Sequence, residues 1–149
     1  MSTTIASPAA TAIPDPTRQA GLAGYLAPTG RVLYSAIFLV AGASHFSPAM
    51  IGYAAAQGVP LPSIAVPLSG IIAFVGGLSI ALGYKARWGA WLLVLFLVPV
   101  TLMMHRFWGL SDPQAAQLQQ AMFMKNLALL GAALLIAVVG SGPRSLEAA

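Results

Sequence analysis

The chain has 149 residues, of which 58% are hydrophobic and only 7% charged, with a mean hydropathy of +0.84. A soluble domain carries about 25% charged residues, so a water-soluble fold is excluded and one membrane domain is the natural organisation. The absence of cysteine excludes disulfides, thiol relays, Cys-ligated zinc and iron–sulfur clusters within the chain, and the net charge of +4 comes from Lys and Arg scattered at the ends of apolar runs, a pattern of headgroup anchors and not of nucleic-acid binding.

Residues 1–26 are rich in Ser, Thr, Ala and Pro and carry Asp15 and Arg18. They lack a basic segment followed by an apolar one, so they do not read as a cleavable signal peptide; they predict a disordered cytoplasmic tail. Residues 27–143 predict the membrane domain, with spans at about 30–46, 64–84, 88–104 and 122–139. At about 1.5 Å per residue each can cross a hydrocarbon core of about 30 Å, the first only barely.

The first span opens at Gly30-Arg31 and stops at His45-Phe46-Ser47-Pro48. Ser47 before Pro48 is an N-cap followed by a first-turn proline, which predicts a short interfacial helix over 48–57 ended by Gly58. Val59-Pro60-Leu61-Pro62 reads as an extended linker. In the second span Ser69, Ala73, Gly77 and Ala81 recur every four residues and predict a packing face of small side chains. Gly83-Tyr84-Lys85-Ala86-Arg87-Trp88 predicts a tight turn, making spans two and three an antiparallel hairpin. Pro99 predicts a kink in the third span. A polar loop is expected over 109–120, the fourth span closes at Gly140-Ser141-Gly142-Pro143, and residues 144–149 form a short cytoplasmic tail.

With both termini inside, Arg18, Arg31, Lys85, Arg87 and Arg144 fall on the cytoplasmic side, against Arg106 and Lys125 outside. This charge bias predicts an N-in, C-in orientation. The expected fold is therefore an all-α transmembrane four-helix bundle in a bacterial plasma membrane.

This topology gathers His45, His105, Arg106, Lys125 and Asn126 in one layer at the extracytoplasmic ends of the spans. Each has a plain structural reading. Arg106 and Lys125 can snorkel to headgroups, the histidines can cap helix ends, and Asn126 can join helices through hydrogen bonds. The layer can also hold a quinone headgroup. Quinone carbonyls gain negative charge on reduction, cationic donors stabilise it, and histidine can pass the proton. A haem held by His45 and His105 is disfavoured, because no small-residue pocket accompanies the pair. Zinc would need a third ligand, for which Asp112 is the nearby residue.

Taken in order, several stretches resemble the DoxX family of small four-span bacterial membrane proteins. They are Arg31 with Gly42-Ala43-Ser44-His45-Phe46-Ser47-Pro48; Gln57-Gly58-Val59-Pro60-Leu61-Pro62; Ser69-Gly70 through Gly76-Gly77-Leu78 to Leu82-Gly83-Tyr84-Lys85-Ala86-Arg87; and His105-Arg106-Phe107-Trp108 followed by Phe123-Met124-Lys125-Asn126-Leu127-Ala128-Leu129-Leu130-Gly131. Many members of that family carry Lys where His45 stands and Glu where Ala73 stands, a pairing replaced at both ends here. The resemblance implies the four-span fold and a membrane subunit of an oxidoreductase or oxidative-stress system, touching the quinone pool or anchoring a soluble redox enzyme. Two other functions remain open. One is a non-enzymatic scaffold that recruits a partner or organises membrane lipids. The other is a small-solute carrier, which would require a homo-oligomer to make room for a pore.

Overall fold

A computed structural model describes residues 16–148, and these are helical with no strand among them. The elements are α1 (Pro16–Ser44), α2 (Pro48–Ala56), α3 (Pro62–Leu82), α4 (Ala86–Met104), α5 (Pro113–Val139) and a one-turn 3-10 helix, Leu146–Ala148. Four segments are long and apolar enough to cross a membrane: Gly24–Ser44, Pro62–Leu82, Ala86–Met104 and Pro113–Val139.

Two helices begin earlier than the residue pattern predicts. The expected tail, residues 1–26, lies outside the described residues up to position 15, and α1 begins at Pro16. Gly30, the expected opening of the first span, sits inside the helix, as does Pro28 before it. The Thr29 hydroxyl donates to the Tyr25 carbonyl (2.9 Å) beside the proline, which has no N–H to give. The expected loop over 109–120 is short. Asp112 accepts from the backbone N–H of Gln114 and Ala115 (3.1 and 3.3 Å) and Pro113 takes the first helical position, so α5 starts there, well ahead of position 122. That capping role also occupies the one carboxylate considered for a zinc site.

The short helix α2 forms as its signals require. Ser47 Oγ accepts from Met50 N–H (3.3 Å), and Gly58 follows the helix with φ +79°. The following linker is not fully extended, because Leu61 turns left-handed (φ 47°) to start α3. The hairpin between α3 and α4 turns on Gly83 (φ 65°) and Lys85 (φ 49°).

α1 packs on α3, α3 on α4 and α4 on α5, while α2 lies against α3. Small residues make this possible on both faces of α3. Gly42 and Gly70 meet so closely that a Cβ on either would lie 2.8 Å from the other's carbonyl oxygen, and Gly76 and Gly89 do the same at 2.9 Å. Ala73 is fully buried and Gly77 faces Phe38, so the expected small-residue ridge is the α1-facing side; the second glycine pair adds a face toward α4. Phe38, Ile80, Leu93 and Leu97 fill the interior, with Phe38 set edge-on to Phe96 (6.2 Å between ring centres). Large apolar side chains such as Leu33, Val40, Trp88, Leu135 and Val138 point outward. Small residues where helices touch and large apolar ones facing outward is the packing that lipid, and not water, rewards.

The stretch of α1 around Tyr25 and Arg31 and the segment after α5 lie together, at the end of the bundle opposite α2. There Arg31 is a correction to the expected anchor. It is only 7% exposed, and its guanidinium donates to the carbonyls of Ser141 and Arg144 (2.7 Å to the latter). Arg144 in turn lies over the Tyr25 ring at 4.0 Å, and Glu147 N–H bonds the Gly83 carbonyl (3.2 Å). The segment after α5 is thus folded back across α1 and the α3–α4 turn instead of trailing free.

Candidate binding cavity

A cavity of about 380 Å³ opens within the half of the bundle nearest α2. All four spans contribute to its wall, and α2 and the Val59–Pro60 linker complete it. Its lower boundary follows from side-chain size: Phe38 and Phe96 fill the space beneath, and the Tyr34 hydroxyl donates to the Leu129 carbonyl (2.9 Å), joining α1 to α5. Its wall is mostly aliphatic and aromatic, with a few polar groups. Cavities of about 300–1,000 Å³ with that balance are the usual size and make-up of small-molecule sites.

Four of the five residues singled out in the sequence line this cavity: His45, His105, Lys125 and Asn126. His45 follows the last turn of α1, where its ring packs on Phe96 (5.7 Å between centres) and Nδ1 lies 2.9 Å from Ser69 Oγ. Ser69 donates to the Val66 carbonyl one turn back on α3 (2.7 Å), which fixes the hydroxyl. His105 ends α4, and its Nδ1 lies 2.9 Å from Gln119 Oε1 on α5. The Gln119 amide continues to the Tyr53 hydroxyl on α2 (3.4 Å). Asn126 is 5% exposed, whereas its neighbour Lys125 is exposed and sits at the rim.

Arg106 does not belong to this group. It is exposed and donates to the Gln57 carbonyl (3.0 Å), closing the C-terminal end of α2. A cation at a helix C-terminus satisfies free carbonyls and the negative end of the helix dipole, which is a sufficient reason for its position. Phe107, Trp108 and Phe123 stack edge-to-face beside it, with ring centres 5.3–5.9 Å apart.

Three residues of the site escape a reading by residue type. Ser69 stood out only as a small packing residue, Gln119 lay in a presumed loop, and Tyr53 in an interfacial helix. Their common role is to hold the histidines, and the signal for Gln119 was the Asp112-Pro113 helix start, which places Gln119 on the second turn of α5. Among the described residues no group of three or more His, Cys, Asp or Glu side chains is placed to hold a metal ion.

Four apolar spans around an internal cavity, polar at one end, define a small multi-pass bacterial membrane protein. The chain belongs to the DoxX family, whose model matches residues 26–106. It is similar to two Escherichia coli (strain K12) proteins: inner membrane protein YphA, at 28% identity over 123 residues (78% of this chain, 84% of that protein), and inner membrane protein YqjF, at 30% identity over 121 residues (78% and 85%). No solved structure matches the chain significantly.

Proposed function

We propose that this protein is the membrane component of a bacterial redox system and that its cavity holds the head group of a quinone-type carrier. One observation carries this reading: the cavity places both histidines, a buried asparagine and a lysine in an otherwise apolar wall. An apolar wall suits a lipid-soluble ring. The polar groups suit the oxygens on that ring and the protons that accompany its reduction and oxidation. The similarity to inner membrane proteins supports the plasma membrane as its location, and the excess of basic residues at the end that carries Arg31, the α3–α4 turn and Arg144 supports the N-in, C-in orientation. In that orientation the cavity lies in the outer half of the bilayer, within reach of a soluble redox partner on that side.

Purified protein titrated with a short-tailed benzoquinone tests the reading. Saturable binding is expected, weakened by Lys125→Ala, and binding of the corresponding hydroquinone is weakened by His105→Ala as well. Unchanged affinity in both variants would sink the assignment of the site.

A further inference from the structure

Resting on that reading, we infer that the cavity selects the reduced, hydroquinone form of the head group over the oxidised quinone. The reason lies in where the protons of the two histidines must be. Ser69 has one hydroxyl proton, and we assign it to the Val66 carbonyl, which lies nearer (2.7 Å) than His45 Nδ1 and can only accept. Toward His45 Nδ1, 2.9 Å away, Ser69 can therefore only accept. The hydrogen between them belongs to His45 Nδ1, and in the neutral ring Nε2 is left as an acceptor. His105 reaches the same state through a different partner. We assign the Gln119 amide with its nitrogen toward the Tyr53 hydroxyl (3.4 Å) and its oxygen toward His105 Nδ1 (2.9 Å), and the oxygen takes that hydrogen. Again Nε2 is the acceptor.

Both rings line the cavity, and on both Nδ1 is already engaged. What either neutral histidine can offer a ligand is a lone pair. A quinone also offers only lone pairs, on its carbonyl oxygens, and set against these rings it forms no hydrogen bond with them. A hydroquinone carries two O–H groups and can donate to Nε2. The remaining polar groups of the wall do not distinguish the two forms. The Asn126 amide can donate or accept, and the Lys125 ammonium can donate to a carbonyl or a phenol oxygen alike. Discrimination rests on the histidines, and through them on Ser69 and Gln119, which act as positioning residues.

The test compares a decyl-tailed benzoquinone with its hydroquinone, kept reduced under argon, binding to the purified full-length protein at about pH 8, above the ordinary imidazole range. The hydroquinone is expected to bind about tenfold more tightly, the usual consequence of leaving polar groups in a site unpaired. Ser69→Ala and Gln119→Leu release the rings to adopt the other tautomer, so each is expected to narrow the preference, and the double variant to abolish it. Equal affinity for the two forms in the unmodified protein, or tighter binding of the quinone, overturns the inference and leaves the quinone site itself standing. A preference that survives in the double variant also overturns it, because the tautomers would not be its cause. Failure of both forms to bind removes the proposed function, and the inference with it.

Discussion

The Arg31 guanidinium holds the carbonyls of Ser141 and Arg144 in a position where it is nearly sealed from the surroundings. Hydrogen bonds to a charged group contribute about 1.5–3 kcal/mol each, and the fork geometry of arginine is needed to reach both carbonyls. Arg31→Met is therefore expected to destabilise the protein by on the order of 3 kcal/mol. It should also free the C-terminal segment, making it a faster substrate for carboxypeptidase in detergent; digestion at the unmodified rate would count against the clasp. Arg31→Lys should restore only part of the protection, since an ammonium is a single point donor. A basic residue at a span end has the same appearance in sequence whether it meets a headgroup or a set of buried carbonyls. Only the turn after Gly140 (φ 86°), which brings the tail back over the bundle, separates the two cases, and no local pattern announces that return. His45 and His105 were legible as residues with polar partners, and both line the cavity, because titratable side chains at the ends of apolar runs are costly unless they have partners. Arg106 carries the same signal for a different reason, the capping of α2.

At the scale of elements, α3 holds the bundle through backbone contact on two sides. Gly76 approaches Gly89 with no room for a side chain, and Leu93 closes the same space (2.9 Å from a Cβ at Gly76). Gly76→Val is expected to abolish the folded protein, seen as loss of a single peak in size-exclusion chromatography. Gly131 is the control. It lies in the middle of α5 with nothing within 4 Å of its would-be Cβ, so Gly131→Ala should leave the fold intact and raise helix stability by about 1 kcal/mol. If both substitutions behaved alike, close packing would not be what joins α3 to α4. The spans themselves were legible from hydropathy, since a run of about 20 apolar residues has few other uses. The starts of α1 and α5 were not. Proline and glycine at positions 28 and 30, and the glutamines after Asp112, argue locally against a membrane helix. Both helices extend beyond their most apolar stretches, where hydropathy does not mark their starts. For α5 the cap itself is a strong local term. Asp112→Ala is expected to cost about 1 kcal/mol and to loosen the first turns that carry Gln119, visible as faster amide exchange there.

The molecule as a whole is asymmetric along its long axis. One end is closed by Arg31, the α3–α4 turn and the folded-back tail; the other holds the cavity beneath α2. The proposed orientation puts the closed end in the cytoplasm. Because the chain has no cysteine, single introduced thiols report topology without background. Ser111→Cys should react with a membrane-impermeant maleimide added to intact spheroplasts, and Tyr84→Cys should react only after lysis; the reverse pattern would invert the protein. The asymmetry also gives the functional reading its shape, since the wide, polar half of the bundle is the half that can accommodate a ring. The most direct test of that claim is photocrosslinking of an azido-benzoquinone to the purified protein, with the adducts located by mass spectrometry. Labelling concentrated on cavity residues such as Met103, His105 and Asn126, and suppressed by excess unlabelled quinone, is the predicted result. Labelling spread over lipid-facing residues such as Leu135 and Val138, indifferent to competitor, would contradict it.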